Sequence, residues 1–110
     1  MKQLELNSFK RNYFDLTKPI YQDCIKHDPN THPDHRKLVS EICEWATRNK
    51  LPYFTRVVLK EGKIVDVVIP TLPRPFIEVR HSELGKDKEY LGKYDDMIQF
   101  VDTTDPYKLF

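Results

Sequence analysis

Between His35 and Asn49 the apolar residues Leu38, Val39, Ile42, Trp45 and Ala46 recur at spacings of three and four, while Arg36, Lys37, Glu44 and Arg48 fall on the opposite side. That period predicts an amphipathic helix with one buried face. Upstream, the run from His27 to Asp34 is dense in turn formers, and Thr31 followed by Asp34 resembles a helix start with an acid in its first turn. Downstream, Pro52 disfavours helical geometry at Leu51, and Asn49-Lys50 supplies a place to stop.

After the helix the period changes. Phe54 to Leu59 and Ile64 to Ile69 are rich in β-branched residues and flank Glu61-Gly62, a hairpin signature. Beyond Pro70, Pro73 and Pro75, the stretch Phe76-Ile-Glu-Val-Arg80 alternates and predicts a third strand; Met97 to Asp102 predicts a last one. Residues 83 to 95 are charged and carry Gly85 and Gly92, so a helix there has little support from propensity. Residues 1 to 34 show no sustained period and read as an irregular segment with one helical stretch before His27. The expectation is an α/β fold of the α+β kind: a mixed sheet flanked by helices, ordered helix-strand-strand-strand-helix-strand over residues 35 to 102, with a tail at 103 to 110.

Composition narrows the setting. A chain of 110 residues, 39% hydrophobic and 32% charged, fits one domain with one core, here 1 to 110. Two cysteines, Cys24 and Cys43, are too few for a disulfide framework, and no signal-peptide pattern opens the chain, so the cytoplasm is the expected compartment. No apolar run is long enough for a membrane span. A net charge of +1 and a pI near 7.8 neither demand nor exclude a polyanionic partner.

The chemistry concentrates on the two central strands. A hairpin through Thr71 to Arg74 centred on Leu72 pairs residues whose numbers add to 144, which sets Asp66 opposite Glu78. Directly opposed like charges are destabilising unless neutralised, and a divalent cation is the natural neutraliser. Without one, Glu78→Ala is expected to relieve repulsion and stabilise the chain. Alternation puts Phe76, Glu78 and Arg80 on one face, the face expected to carry Asp66 as well. Carboxylate oxygens suit Mg²⁺ or Mn²⁺, which can activate water and stabilise charge on a phosphodiester.

The stretches Val65-Asp66-Val67-Val68-Ile69-Pro70 and Phe76-Ile77-Glu78-Val79-Arg80, on these elements in this order, resemble the PD-(D/E)XK nuclease superfamily, and within it the Holliday-junction resolvase branch. The resemblance implies a restriction-endonuclease-like fold and a magnesium-dependent endonuclease acting on branched or structured DNA. It implies that Asp66, Glu78 and the carbonyl of Val79 hold the metal, and that a homodimer supplies two sites. Arg80 stands where the family has Lys; Arg stays protonated, so it can orient water or stabilise charge but not act as a base. Lys86 and Lys88 are stand-ins for that Lys. The family adds an acid from the first helix: Glu41, at the flank of the apolar stripe, is the candidate, although resolvase-like members place it in the first turn, where this chain has Asp34 and His35.

A second cluster is Cys24, His27, His32 and His35, four ligands of the type that Zn²⁺ favours, although they equally fit a solvated loop before a helix. Cys43 and Trp45 lie on the apolar stripe and read as core. Lys60, Lys63, Arg74, Lys86, Lys88 and Lys93 fall where they can rim the carboxylate face and meet phosphates. No Gly-rich phosphate loop, nucleophile elbow or paired CxxC motif is present, so neither a nucleotide cofactor nor acyl transfer is indicated. The competing reading is a non-catalytic binding or assembly module on the same scaffold.

Overall fold

In a computed structural model, which describes residues 2–80 and 94–103, the chain forms two α-helices and one five-stranded mixed sheet. The elements are α1 (Gln3–Tyr13), β1 (Tyr21–Gln22), α2 (Pro33–Arg48), β2 (Phe54–Val58), β3 (Ile64–Val68), β4 (Phe76–Arg80), a 3₁₀ turn (Asp95–Met97) and β5 (Ile98–Asp102). The strands lie in sequence order across the sheet. Neighbours are antiparallel except β5, which runs parallel to β4.

Helix α2 follows its apolar stripe, burying Leu38, Val39, Ile42, Cys43 and Ala46. Its N-cap is His32, whose Nδ1 accepts the Asp34 N–H at 3.0 Å, with Pro33 at the position where a missing N–H does least harm. Its end is a Schellman arrangement: Leu51 N–H donates to the Ala46 carbonyl at 2.9 Å and Lys50 N–H to that of Thr47 at 3.1 Å. Lys50, not Asn49, takes the left-handed conformation, with φ 56°.

The helical stretch expected before His27 is α1, Gln3 to Tyr13, within the segment otherwise read as irregular. Leu6, Phe9 and Tyr13 form its inner stripe and pack with Phe14, Phe54, Phe76 and Tyr94. The rings meet edge to face, Phe76 lying 5.5 Å from Tyr94 and 5.6 Å from Tyr13. The expected helix over 83 to 95 and the tail beyond Thr103 lie outside the described residues, apart from Tyr94 and the turn that begins at Asp95.

Two cores therefore sandwich the sheet. On one face α2 covers Val67, Ile69, Ile77, Val79 and Val101; on the other α1 covers Phe54, Val57, Val65, Val68, Phe76 and Ile98. The first hairpin closes at Gly62, whose φ of 91° suits glycine, and the second closes through Ile69 N–H to the Pro75 carbonyl at 2.9 Å. The pairs Val67↔Ile77 and Val68↔Phe76 give the register adding to 144 that the turn implies.

One irregularity interrupts the β2–β3 hairpin. Phe54 and Val57 on β2, and Val65 and Val68 on β3, belong to the same core although each pair is three residues apart. Strict alternation would place them on opposite faces. The extra step on each strand is Arg56 and Asp66, which sit across from each other between the paired positions Thr55↔Val67 and Val57↔Val65. Arg56 has φ 47°, a left-handed conformation in mid-strand.

Candidate functional site

The extra step turns Asp66 away from the face expected for it. Its side chain reaches α2, where Oδ2 lies 3.2 Å from His35 Nε2 in the first turn of the helix. The same oxygen accepts the Val79 N–H from β4 at 2.9 Å. Glu78 reaches the other way, its Oε1 accepting the Asp66 N–H at 3.0 Å. Each acid thus bonds a backbone N–H of the other's strand, where the β3–β4 ladder opens beyond Val67↔Ile77. Opposed acids without a neutralising cation would repel, but these two carboxylates have partners in the protein.

Asp66 is not sealed off. Its side chain is 23% exposed and that of His35 is 15% exposed. Both contacts fall on Oδ2; Oδ1 accepts no hydrogen bond among the described residues. A part-exposed carboxylate oriented through one oxygen is suited to receiving a cation, a water or a proton.

Glu78 and Arg80 alternate with Ile77 and Val79 and so keep to the α1 side of β4, opposite Phe100 and Asp102 of β5. The Arg80 guanidinium lies over the Phe100 ring, 5.3 Å from its centroid, with Nε 3.9 Å from Asp102 Oδ2. The reading that placed Asp66, Glu78 and Arg80 on one face is corrected by the step at Asp66. Asp66 belongs with His35, and Arg80 with Phe100 and Asp102.

No family model, curated protein or solved structure matches the chain.

The remaining sequence candidates disperse. Glu41 is exposed on α2, and no hydrogen bond or ion pair joins it to Asp66 or Glu78 among the described residues. His32 caps α2, His35 meets Asp66, His27 Nε2 lies 3.4 Å from Ser40 Oγ, and Cys24 is exposed while its carbonyl accepts from Thr55 Oγ1 at 2.8 Å. Burial, then the Arg36 guanidinium and His35, push the His27 pKa below the usual imidazole value, keeping that ring neutral at pH 7. Among the described residues no three His, Cys, Asp or Glu side chains gather as a ready-made cation site. Arg74 donates to the Ile98 carbonyl at 3.1 Å and ties β5 to the second hairpin, whereas Lys60 is exposed. Lys86, Lys88 and Lys93 lie outside the described residues.

His35 was visible in the sequence as a member of the histidine group and as an alternative first-turn position. Its contact with Asp66 was not, because that depends on where α2 crosses the sheet. Arg56 gave no signal: an arginine in a β-branched run reads as the solvated side of a strand.

Proposed function

We propose that this chain is a divalent-cation-dependent nuclease of the restriction-endonuclease-like kind, hydrolysing DNA phosphodiesters, with Asp66 and Glu78 as the acids that hold the ion. The observation that carries the reading is the pair of interlocked carboxylates at the opening of the β3–β4 ladder, with the Asp66 side chain part-exposed. The order α2, β2, β3, β4 and then β5 parallel to β4 supports the resemblance, which calls for a helix, a hairpin bearing the Asp and a strand bearing the Glu.

The donor types suit a hard cation, two carboxylates of neighbouring strands with the Val79 carbonyl that the resemblance implies and the remaining positions left to water, and the ion would have to draw Asp66 and Glu78 together from the opposite sides to which they reach. Mg²⁺ or Mn²⁺ held there supplies an activated water and charge stabilisation at the scissile phosphate. His35 holds Asp66 through Oδ2. Arg80 contributes a permanent positive charge for a phosphate. Cutting both strands calls for two such sites, so a pair of chains belongs to the proposal, with branched or structured DNA as the substrate that the resemblance suggests.

The alternative is a binding or assembly module that has kept the scaffold. It is favoured by the same two N–H bonds, which give both acids a structural role. Cleavage of labelled linear, nicked and four-way-junction DNA in Mg²⁺, Mn²⁺ or EDTA separates the two readings. The nuclease cuts only with metal and loses cutting in Asp66→Ala and Glu78→Ala. No cutting of any substrate, together with no metal-induced rise in melting temperature, leaves the scaffold reading in its place.

A further inference from the structure

Arg56 takes a backbone conformation that side-chain-bearing residues avoid, at the strand position across from Asp66. Neighbouring strands lie about 5 Å apart, so the acid and the base of the Arg56 side chain start from adjacent points of the sheet. The guanidinium extends to the loop before α2, where Nη2 stands 3.8 Å from Asp28 Oδ2. That separation exceeds a hydrogen bond, and the two side chains are 36% and 39% exposed. Such a pair is weak and screened, hence readily exchanged for another anion. Asp28 itself is held by the loop, since its Oδ1 accepts the Asn30 N–H at 2.9 Å. It therefore holds the guanidinium at the loop before α2 without a hydrogen bond to its Nη2.

We infer that Arg56 is a substrate-binding residue whose guanidinium leaves Asp28 to take a DNA phosphate next to the one positioned at Asp66. The inference rests on the nuclease reading and adds to it the residue that sets the strand against the acids. Arginine's planar fork matches phosphate oxygens two at a time.

The test is fluorescence anisotropy of a labelled four-way junction in Ca²⁺ between 50 and 200 mM salt, on the order of the range where counterion release is well resolved. Wild type is compared with Arg56→Gly, which suits the left-handed backbone, and with Arg56→Lys, which keeps the charge. Arg56→Gly is expected to bind about tenfold or more weakly and to flatten the slope of log K against log salt by about 0.9, the value for one phosphate contact. Its melting temperature should be no lower than that of wild type, and Arg56→Lys should retain the slope. Arg56→Gly binding with unchanged affinity and slope overturns the inference while leaving the nuclease reading intact. A wild type that binds neither the junction nor Mn²⁺, the latter read as a melting shift, sinks both.

Discussion

The stability of Glu78→Ala in the absence of metal discriminates between two pictures of the acids. If Asp66 and Glu78 merely faced each other, deleting one would relieve repulsion and raise stability. In the structure Glu78 Oε1 accepts the Asp66 N–H at 3.0 Å, so deletion leaves a part-buried donor to find water. A hydrogen bond to a charged group contributes about 1.5–3 kcal/mol, whereas relieving a cross-strand like-charge pair returns about 0.2–1 kcal/mol. The net expectation is a loss of about 1–2 kcal/mol. With about 5 °C per kcal/mol for a chain of this size, the melting temperature falls by about 5–10 °C. Differential scanning calorimetry and urea titration in EDTA measure it. Glu78→Gln, which keeps an acceptor and removes the charge, should stay within about 0.5 kcal/mol of wild type. A Glu78→Ala protein as stable as wild type, or more so, would refute the reasoning and show that simple repulsion between the carboxylates outweighs the bond to the Asp66 N–H.

Three further outcomes are expected. Burial pushes the Cys43 thiol up to about 12, whereas Cys24 is exposed, so an aromatic disulfide reagent at pH 8 should titrate one thiol quickly and the second only after unfolding; equal rates would contradict the packing. Because folding raises the Cys43 pKa from 9.0, its contribution to stability is complete below about pH 9 and lost as pH rises towards 12, a slope that Cys43→Ala should remove from an alkaline denaturation series. Phe76→Ala removes a ring that is 0% exposed and touches Phe9, Tyr13 and Tyr94, so it should lower stability by about 3–5 kcal/mol in urea titration; a loss under about 1 kcal/mol would show that the aromatic cluster does not hold α1 to the sheet.

Much of the frame was legible because it obeys simple periods. Helix α2 announced itself through an uninterrupted stripe, and the second hairpin's register followed from a turn flanked by strands of clear alternation. Helix α1 was expected only as an unplaced stretch before His27, because Leu6, Phe9 and Tyr13 are interleaved with Asn7, Ser8 and Asn12, poor helix formers, and with Leu4 off the stripe and 81% exposed. It is helical because the aromatic face finds Phe76 and Phe54, a tertiary cause that local pattern does not contain. The step at Arg56 and Asp66 was hidden for another reason. Polar residues in a strand are compatible with either face, so nothing in Val-Asp-Val says that Asp66 fails to alternate. The two acids were identified from sequence, but their bonding was not, since it depends on that step and on the crossing of α2.

The doubled step also decides which length changes the chain can survive. Thr55↔Val67 and Val57↔Val65 keep one register on both sides of Arg56 and Asp66, because each strand gained the same single residue. Deleting either residue alone would restore alternation on its own strand and leave the other strand's extra residue unmatched, a single β-bulge. Deleting both would return two regularly alternating strands with the same neighbours, at the sacrifice of Asp66 and its contact with His35. The position therefore behaves as a matched pair of insertions in the hairpin: removing both restores a plain ladder, and removing one leaves a bulge in the strand that keeps its extra residue.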